Sequence, residues 1–380
     1  MARMKAARDR LGARMRAMGQ PWELAAFLWL PFLVFAVVLA ADMRFQSSLG
    51  DWEIFRHASH SALHGRSPYS IPDPTALAQN DKFVYPPATA LLIAPLAVLP
   101  DDAGRLLVLL LTLACVPVAL RLLGVRDWRC YGLALVTAPV VNTVSLGALS
   151  SLLLLGVAAG WRYRDRRHVA AAVTAVTALS KLFVWPLFVW LFATRRLRTG
   201  LEAAALGLVL LFGGWAAIGF AGLRGYPHLL HLLSQVEAVQ SYSLVGLFRL
   251  EGGPATALTA GLVVAVFAAV LFTARGRDGD RRALAVAVVG ALVATPVLWL
   301  HYLVLLFVPL ALAKPRLSAV WFLPLAFWVT PLAHSDGSIW RASFALAVTA
   351  LIVLSTMRPT ASAAARRPAP AVSPRVLSAP

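Results

Sequence analysis

The sequence predicts an all-α protein that crosses a membrane many times. Three observations lead there. Of 380 residues, 59% are hydrophobic and 14% charged, against about 45–50% and about 25% in soluble domains. The mean hydropathy is +0.73. The apolar residues also gather in long stretches punctuated by basic clusters. So much apolar surface exceeds what one or two soluble cores can hide. Cytosolic enzymes, secreted disulfide scaffolds and disordered chains are excluded. The 35 basic and 17 acidic residues leave a net charge of +18. In a membrane protein that excess is read by position, because cytoplasmic loops collect Lys and Arg. Cys115 and Cys130, both near apolar stretches, make neither a disulfide framework nor a metal cluster.

Taken in order, residues 1–20 are a basic, weakly amphipathic cytoplasmic segment suited to touch anionic lipid. Residues 22–41 are apolar for long enough to span about 30 Å, and no small-residue cleavage site follows them. Residues 86–99 are apolar but short and proline-punctuated. They read as re-entrant or half-length, because a full crossing would put the next basic cluster outside. Residues 103–120 form a span. The clusters Arg121-Arg126-Arg129, Arg162-Arg164-Arg166-Arg167, Arg195-Arg196-Arg198, Arg275-Arg277-Arg281-Arg282 and Lys314-Arg316 are all placed inside. The apolar stretch between consecutive clusters must then cross an even number of times. Residues 130–161 and 169–194 fit as two short pairs, with Asn142–Ala148 and Lys181 at their outer turns. Residues 200–220 and 254–274 are full spans around an outer loop. Residues 283–313 fold as a pair with Trp299-Leu300-His301 outermost, and 317–333 pairs with 338–357. This gives about twelve crossings with both termini inside. Several are only about 12 or 13 residues, about 18–20 Å at about 1.5 Å per residue. Their outer ends stop short of the surface, which opens a polar funnel in the outer leaflet. Residues 21–357 make one transmembrane domain, and 358–380, rich in Ala, Pro, Ser and Arg, read as a disordered cytoplasmic tail.

Polar residues collect on the outer side. From Trp52 to His64 the periodicity is helical. Trp52, Phe55, Ala58, Ala62 and Leu63 lie on one side, and Glu53, Arg56, His57, His60 and His64 on the other. Such a helix suits the membrane surface. Asp51, at its start, is a helix N-cap or a general base at the mouth of the funnel. Lys181, inside an apolar run, marks a ligand site or snorkels to the surface. His301, between Trp299 and Tyr302, anchors the interface or donates to a substrate phosphate. His57, His60 and His64 share a face but lack a paired carboxylate or metalloprotease spacing, so they read as solvated. There is no phosphate-binding glycine loop, dinucleotide fingerprint or nucleophile elbow.

One ordered set of landmarks resembles a known family. It comprises Gly50-Asp51-Trp52-Glu53-Ile54-Phe55-Arg56-His57-Ala58, Leu63-His64-Gly65-Arg66-Ser67-Pro68-Tyr69, Phe83-Val84-Tyr85-Pro86-Pro87 and Ala94-Pro95-Leu96. Lys181, Ser241 with Tyr242, and Thr295-Pro296 through Trp299 to His301-Tyr302 continue it. Together these resemble the polyprenyl-phosphate-dependent membrane glycosyltransferases of the GT-C superfamily. The likeness is to the actinobacterial α-1,2-mannosyltransferases of glycosyltransferase family eighty-seven. It departs at Asn142-Thr-Val-Ser-Leu-Gly147-Ala148, where family members carry a glutamine after the glycine.

The resemblance implies a GT-C-like bundle in a bacterial plasma membrane, with an extracytoplasmic active site. It implies inverting transfer of a sugar, mannose first, from polyprenyl phosphate to a glycolipid or glycan hydroxyl. Asp51 would be the catalytic base. Lys181 and His301 would steady the phosphate, and Tyr85, Asn142, Ser241, Tyr242, Trp299 and Tyr302 would bind substrate. No metal or other cofactor is implied, and the partners are the lipid-linked donor, the acceptor and membrane lipid. The alternative is a secondary transporter of a small anionic or sugar solute, which needs access from both faces.

Overall fold

The computed structural model describes residues 20–45, 49–69, 83–276, 278–330 and 334–357. Most of the basic N-terminal segment, residues 46–48 and 70–82 of the first polar loop, and the C-terminal tail lie outside the described residues. Within them, all regular structure is helical. Helix α1 runs through Pro21–Leu24, a wide turn at Ala25–Trp29 and Leu30–Phe45. It is followed by α2 (Gly50–Leu63), α3 (Pro87–Ala97), α4 (Asp101–Leu122), α5 (Trp128–Leu135), α6 (Ala138–Leu146), α7 (Ser150–Arg162) and α8 (Arg167–Ser180). After a turn at Leu182–Val184 come α9 (Pro186–Ala193), α10 (Leu197–Ala217), α11 (Tyr226–Ala238), α12 (Gly252–Thr273) and α13 (Gly279–Ala294). A tight helical segment, Leu300–Leu306, leads into α14 (Phe307–Ala313). A second, Ala319–Val329, precedes α15 (Ile339–Met357).

Five helices are long and apolar enough to cross a membrane: Pro21–Val38, α4, α10, α12 and α15. The pair α6 and α7, bent by 113°, makes a sixth if counted as one span. The expected number of about twelve is therefore not reached by helix length. The physical reason is that the bundle is interrupted. The chain breaks at Gly147, at Lys181 and from Thr295 to Trp299, and the pieces on either side are short.

The helix ends sort into two groups. At one end, Asp280 receives Arg164 and Arg196, each at 2.9 Å, and the Trp190 indole N–H, also at 2.9 Å. Arg196 also reaches Asp165 at 3.0 Å. This ties α7, α8, α9, α10 and α13 together. Arg129 joins the start of α5 to Glu23 of α1 at 2.7 Å. The Arg126 N–H donates to the Pro315 carbonyl at 2.8 Å. The basic clusters thus share one end of the molecule, called here the basic end. The breaks at Gly147, Lys181 and Thr295–Trp299 lie at the other.

Helix α2 exists as expected, but its apolar face meets protein and not a membrane surface. Trp52, Phe55, Ala58 and Ala62 are buried, whereas Leu63 is exposed. Ser59 donates to the Ala90 carbonyl of α3 at 2.8 Å. Glu53 pairs with Arg105 and Arg56 with Asp101, both on α4. Helix α3 begins beside the breaks and ends against the first turn of α4, where Gly104 faces the Leu96 carbonyl. Both its ends therefore stay away from the basic end.

Candidate active site

A cavity of about 570 Å³ opens where the breaks meet. Its wall is collected from the start of α2, the loop that leads into α3, the end of α6, the break after α8, helix α11, the middle of α12 and the break after α13.

Asp51 reaches this wall through an unusual entry to α2. Leu49 adopts φ 68°, and its N–H donates to the Ser145 carbonyl at 2.7 Å. A left-handed leucine is strained and persists only where its surroundings over-determine it. Here Leu49 is fully buried against Gly147. Gly147 itself has φ +64°, and a Cβ on it would stand 3.1 Å from the Leu49 side chain and 3.2 Å from Trp52 Cβ. The N-cap position belongs to Leu49, and no side-chain capping bond forms. The capping alternative for Asp51 is thereby set aside, and its carboxylate is left facing the cavity. Burial pushes that carboxyl above the usual carboxylate range, and the Lys181 ammonium works against the rise.

Lys181 stands in extended backbone, φ −149° and ψ 112°, immediately after α8. It is 3% exposed, which removes the snorkelling alternative. Its Nζ has no hydrogen-bond partner among the described residues. The ammonium lies 3.9 Å from the centre of the Tyr302 ring and 5.3 Å from that of Tyr85. Such a cation–π seat is worth about 0.5–2 kcal/mol. Phe183 stacks on Tyr302, with ring centres 4.9 Å apart.

His301 is 4% exposed, and neither ring nitrogen finds a partner among the described residues. Its ring meets Tyr302 edge-on at 4.7 Å. The segment that presents it, Leu300–Leu306, follows Trp299 in extended backbone. A buried cation and a buried imidazole with free nitrogens are expensive unless a ligand satisfies them.

Of the nine residues singled out from sequence, Asp51, Tyr85, Lys181, Trp299, His301 and Tyr302 line the one cavity. Asn142, Ser241 and Tyr242 do not. Asn142 lies on α6, one turn before the wall residue Leu146, with its side-chain oxygen buried and without a partner among the described residues. Ser241 is spent within its own turn, bonding the Ala238 carbonyl and Ser243 at 2.9 Å each. Tyr242 docks that turn: its N–H donates to Leu298 at 2.8 Å and its hydroxyl to the His334 carbonyl at 3.0 Å. Phe183, Tyr226, Ser234 and Thr259 belong to the wall and were not singled out. Phe183 was within reach of sequence reasoning, since it stands two residues after Lys181.

No group of three His, Cys, Asp or Glu able to hold a metal occurs among the described residues. His64 bonds the His60 carbonyl at 2.7 Å. A carboxylate, an ammonium and an imidazole around one hollow can accept a proton and stabilise a developing anion.

A family model described as Glycosyltransferase family 87 matches residues 83–300. That stretch contains Tyr85, Lys181 and Trp299, and excludes Asp51, His301 and Tyr302. No curated protein and no solved structure matches the chain.

Proposed function

The chain belongs to glycosyltransferase family 87, and from that premise we propose that it moves a sugar, mannose in the first instance, from polyprenyl phosphate to a hydroxyl of a glycolipid or glycan. The reaction takes place on the extracytoplasmic face of a bacterial plasma membrane. The observation that carries the reading is the placement of Asp51 and the unpartnered Lys181 on one cavity wall.

Asp51 removes the proton of the acceptor hydroxyl as its oxygen attacks the anomeric carbon. The bond from that carbon to the phosphate oxygen breaks, and polyprenyl phosphate leaves with the electron pair. The charge that grows on phosphate is met by Lys181, released from the Tyr302 face, and by a hydrogen bond from His301. A phosphate leaving group needs no general acid, so one carboxylate suffices. Attack from the face opposite the phosphate inverts the anomeric centre, giving an α-linked product from a β-linked donor.

Sidedness is supported by the basic end, which the preference of Lys and Arg for cytoplasmic loops assigns to the cytoplasm. Helices α1, α4, the α5–α6 pair, α7, α8, α9, α10, α12, α13, the Leu300–Ala313 stretch, the Ala319–Val329 stretch and α15 follow one another alternately from end to end. That alternation supports about twelve passages, several short, with both termini inside. The shortness fits a funnel: the Leu182–Ala193 stretch covers about 18 Å of a core of about 30 Å. The Asp280 cluster ties five helices together at the basic end, which weighs against a transporter's alternating access.

The decisive measurement is transfer from radiolabelled polyprenyl-phosphate mannose in membranes carrying the native chain or Asp51→Asn. Turnover is expected to fall about 10²–10⁴-fold. Near-native turnover would remove Asp51 from the chemistry.

A further inference from the structure

A groove of about 1540 Å³ runs along the outside of the bundle between α1, α4 and α5. It shares no wall residue with the candidate active site. It arises from how α1 is attached. The Phe27 backbone presses on Gly132 of α5, where a Cβ would come within 1.7 Å of the Phe27 carbonyl oxygen. Nearby, the Phe27 ring meets Trp128 edge-on at 6.1 Å, and Glu23 pairs with Arg129. Past this pin most of α1 is exposed, Leu28, Phe32, Leu33 and Val37 among it. The slot lies between this stretch and the facing side of α4.

Along its length the slot is apolar. At the basic end its mouth carries Arg121, Arg126 and Arg162, beside Trp128 and Tyr131. No carboxylate pairs with these three arginines among the described residues. Their neighbours are occupied: Arg129 holds Asp127 and Glu23, and Arg164 and Arg196 hold Asp280. The α4 wall from Leu109 to Arg121 covers about 18 Å at about 1.5 Å per residue, close to the depth of one leaflet of a core of about 30 Å.

The geometry points to a lipid site separate from the transfer reaction. The groove seats a two-chain anionic glycerophospholipid of the leaflet at the basic end. The acyl chains fill the slot between α1 and α4, and the phosphate rests on Arg121, Arg126 and Arg162. Guanidinium matches phosphate bidentately. Trp and Tyr favour headgroup depth, and basic pockets between membrane helices recognise anionic headgroups. The volume exceeds the about 300–1,000 Å³ of ordinary small-molecule sites and leaves room for a second chain.

The test is native mass spectrometry of the full chain released from vesicles of equal phosphatidylglycerol and phosphatidylcholine. Phosphatidylglycerol is expected to stay bound selectively. Combining Arg121→Gln, Arg126→Gln and Arg162→Gln should weaken its retention about a hundredfold, at about fivefold per basic residue. Ala114→Trp, placed on the exposed groove wall, should expel lipid of either kind without touching the core. Arg198→Gln, exposed at the same end but outside the groove, should change nothing. Equal retention of the two lipids by the native chain would overturn the proposal. So would an equal loss in Arg198→Gln, unchanged selectivity in the groove variants, or a dimer that Ala114→Trp dissociates.

Discussion

In the proposed reaction Asp51 can serve as a base only while ionised, and two surroundings pull on its proton in opposite directions. Burial raises its pKa and the Lys181 ammonium lowers it. Transfer should therefore be lost, as pH falls, at a pH above the ordinary carboxylate value. In Lys181→Met the opposing charge is gone, so Asp51 holds its proton more tightly and the acid limb must move to higher pH. A limb that stays in place in the pH–rate profile would mean that the two groups do not sense each other. The same variant should slow transfer about 10²–10³-fold, the usual loss when one stabilising donor is removed. At this scale much was legible beforehand. A carboxylate at the very start of a helix and a lysine in an apolar run stand out against their neighbours. Ser241 and Tyr242 looked equally polar on paper, but their hydrogen bonds are spent on holding a turn. Tyr226 and Thr259 carry no such contrast, since a helix face turned to a hollow has the same composition as one turned to lipid.

Among the elements, the break at Gly147 matters most for where the base stands. Leu49 and Trp52 both crowd the space beside Gly147, and the Leu49–Ser145 bond fastens the start of α2 to the end of α6. Gly147→Ala adds a Cβ at positive φ, against atoms 3.1–3.3 Å away. The strain is about 1–3 kcal/mol. It should appear as a lower midpoint of thermal unfolding in detergent, together with a fall in turnover as Asp51 shifts. A variant with native stability and native turnover would mean that this contact does not hold the base. Ala148, where the resemblance leads one to expect glutamine, directly follows Gly147 and has no exposed surface. Periodicity alone could place α2 but not its partner. Trp52 and Phe55 look the same whether they face lipid or α3.

Across the whole molecule, the separation of charge from cavity is the organising feature. It predicts a labelling pattern. Cys115 and Cys130 are buried, so they give little background to a membrane-impermeant thiol reagent. Glu251→Cys, at the cavity end, should react in intact cells, and Arg198→Cys, at the basic end, only after permeabilisation. The reverse pattern would invert the sidedness and, with it, the source of the donor. The two ends were readable from the basic clusters alone, because those clusters all reached the same end. The number of long spans was not, because short helices around a hollow carry the same apolar runs as full crossings.

One consequence follows from the seat of Lys181. Its charge rests on an aromatic face, so a newcomer need not prise open a carboxylate clamp before docking. In the proposed reaction the spent carrier, on leaving, hands the ammonium back to the Tyr302 ring, already parked for the next round.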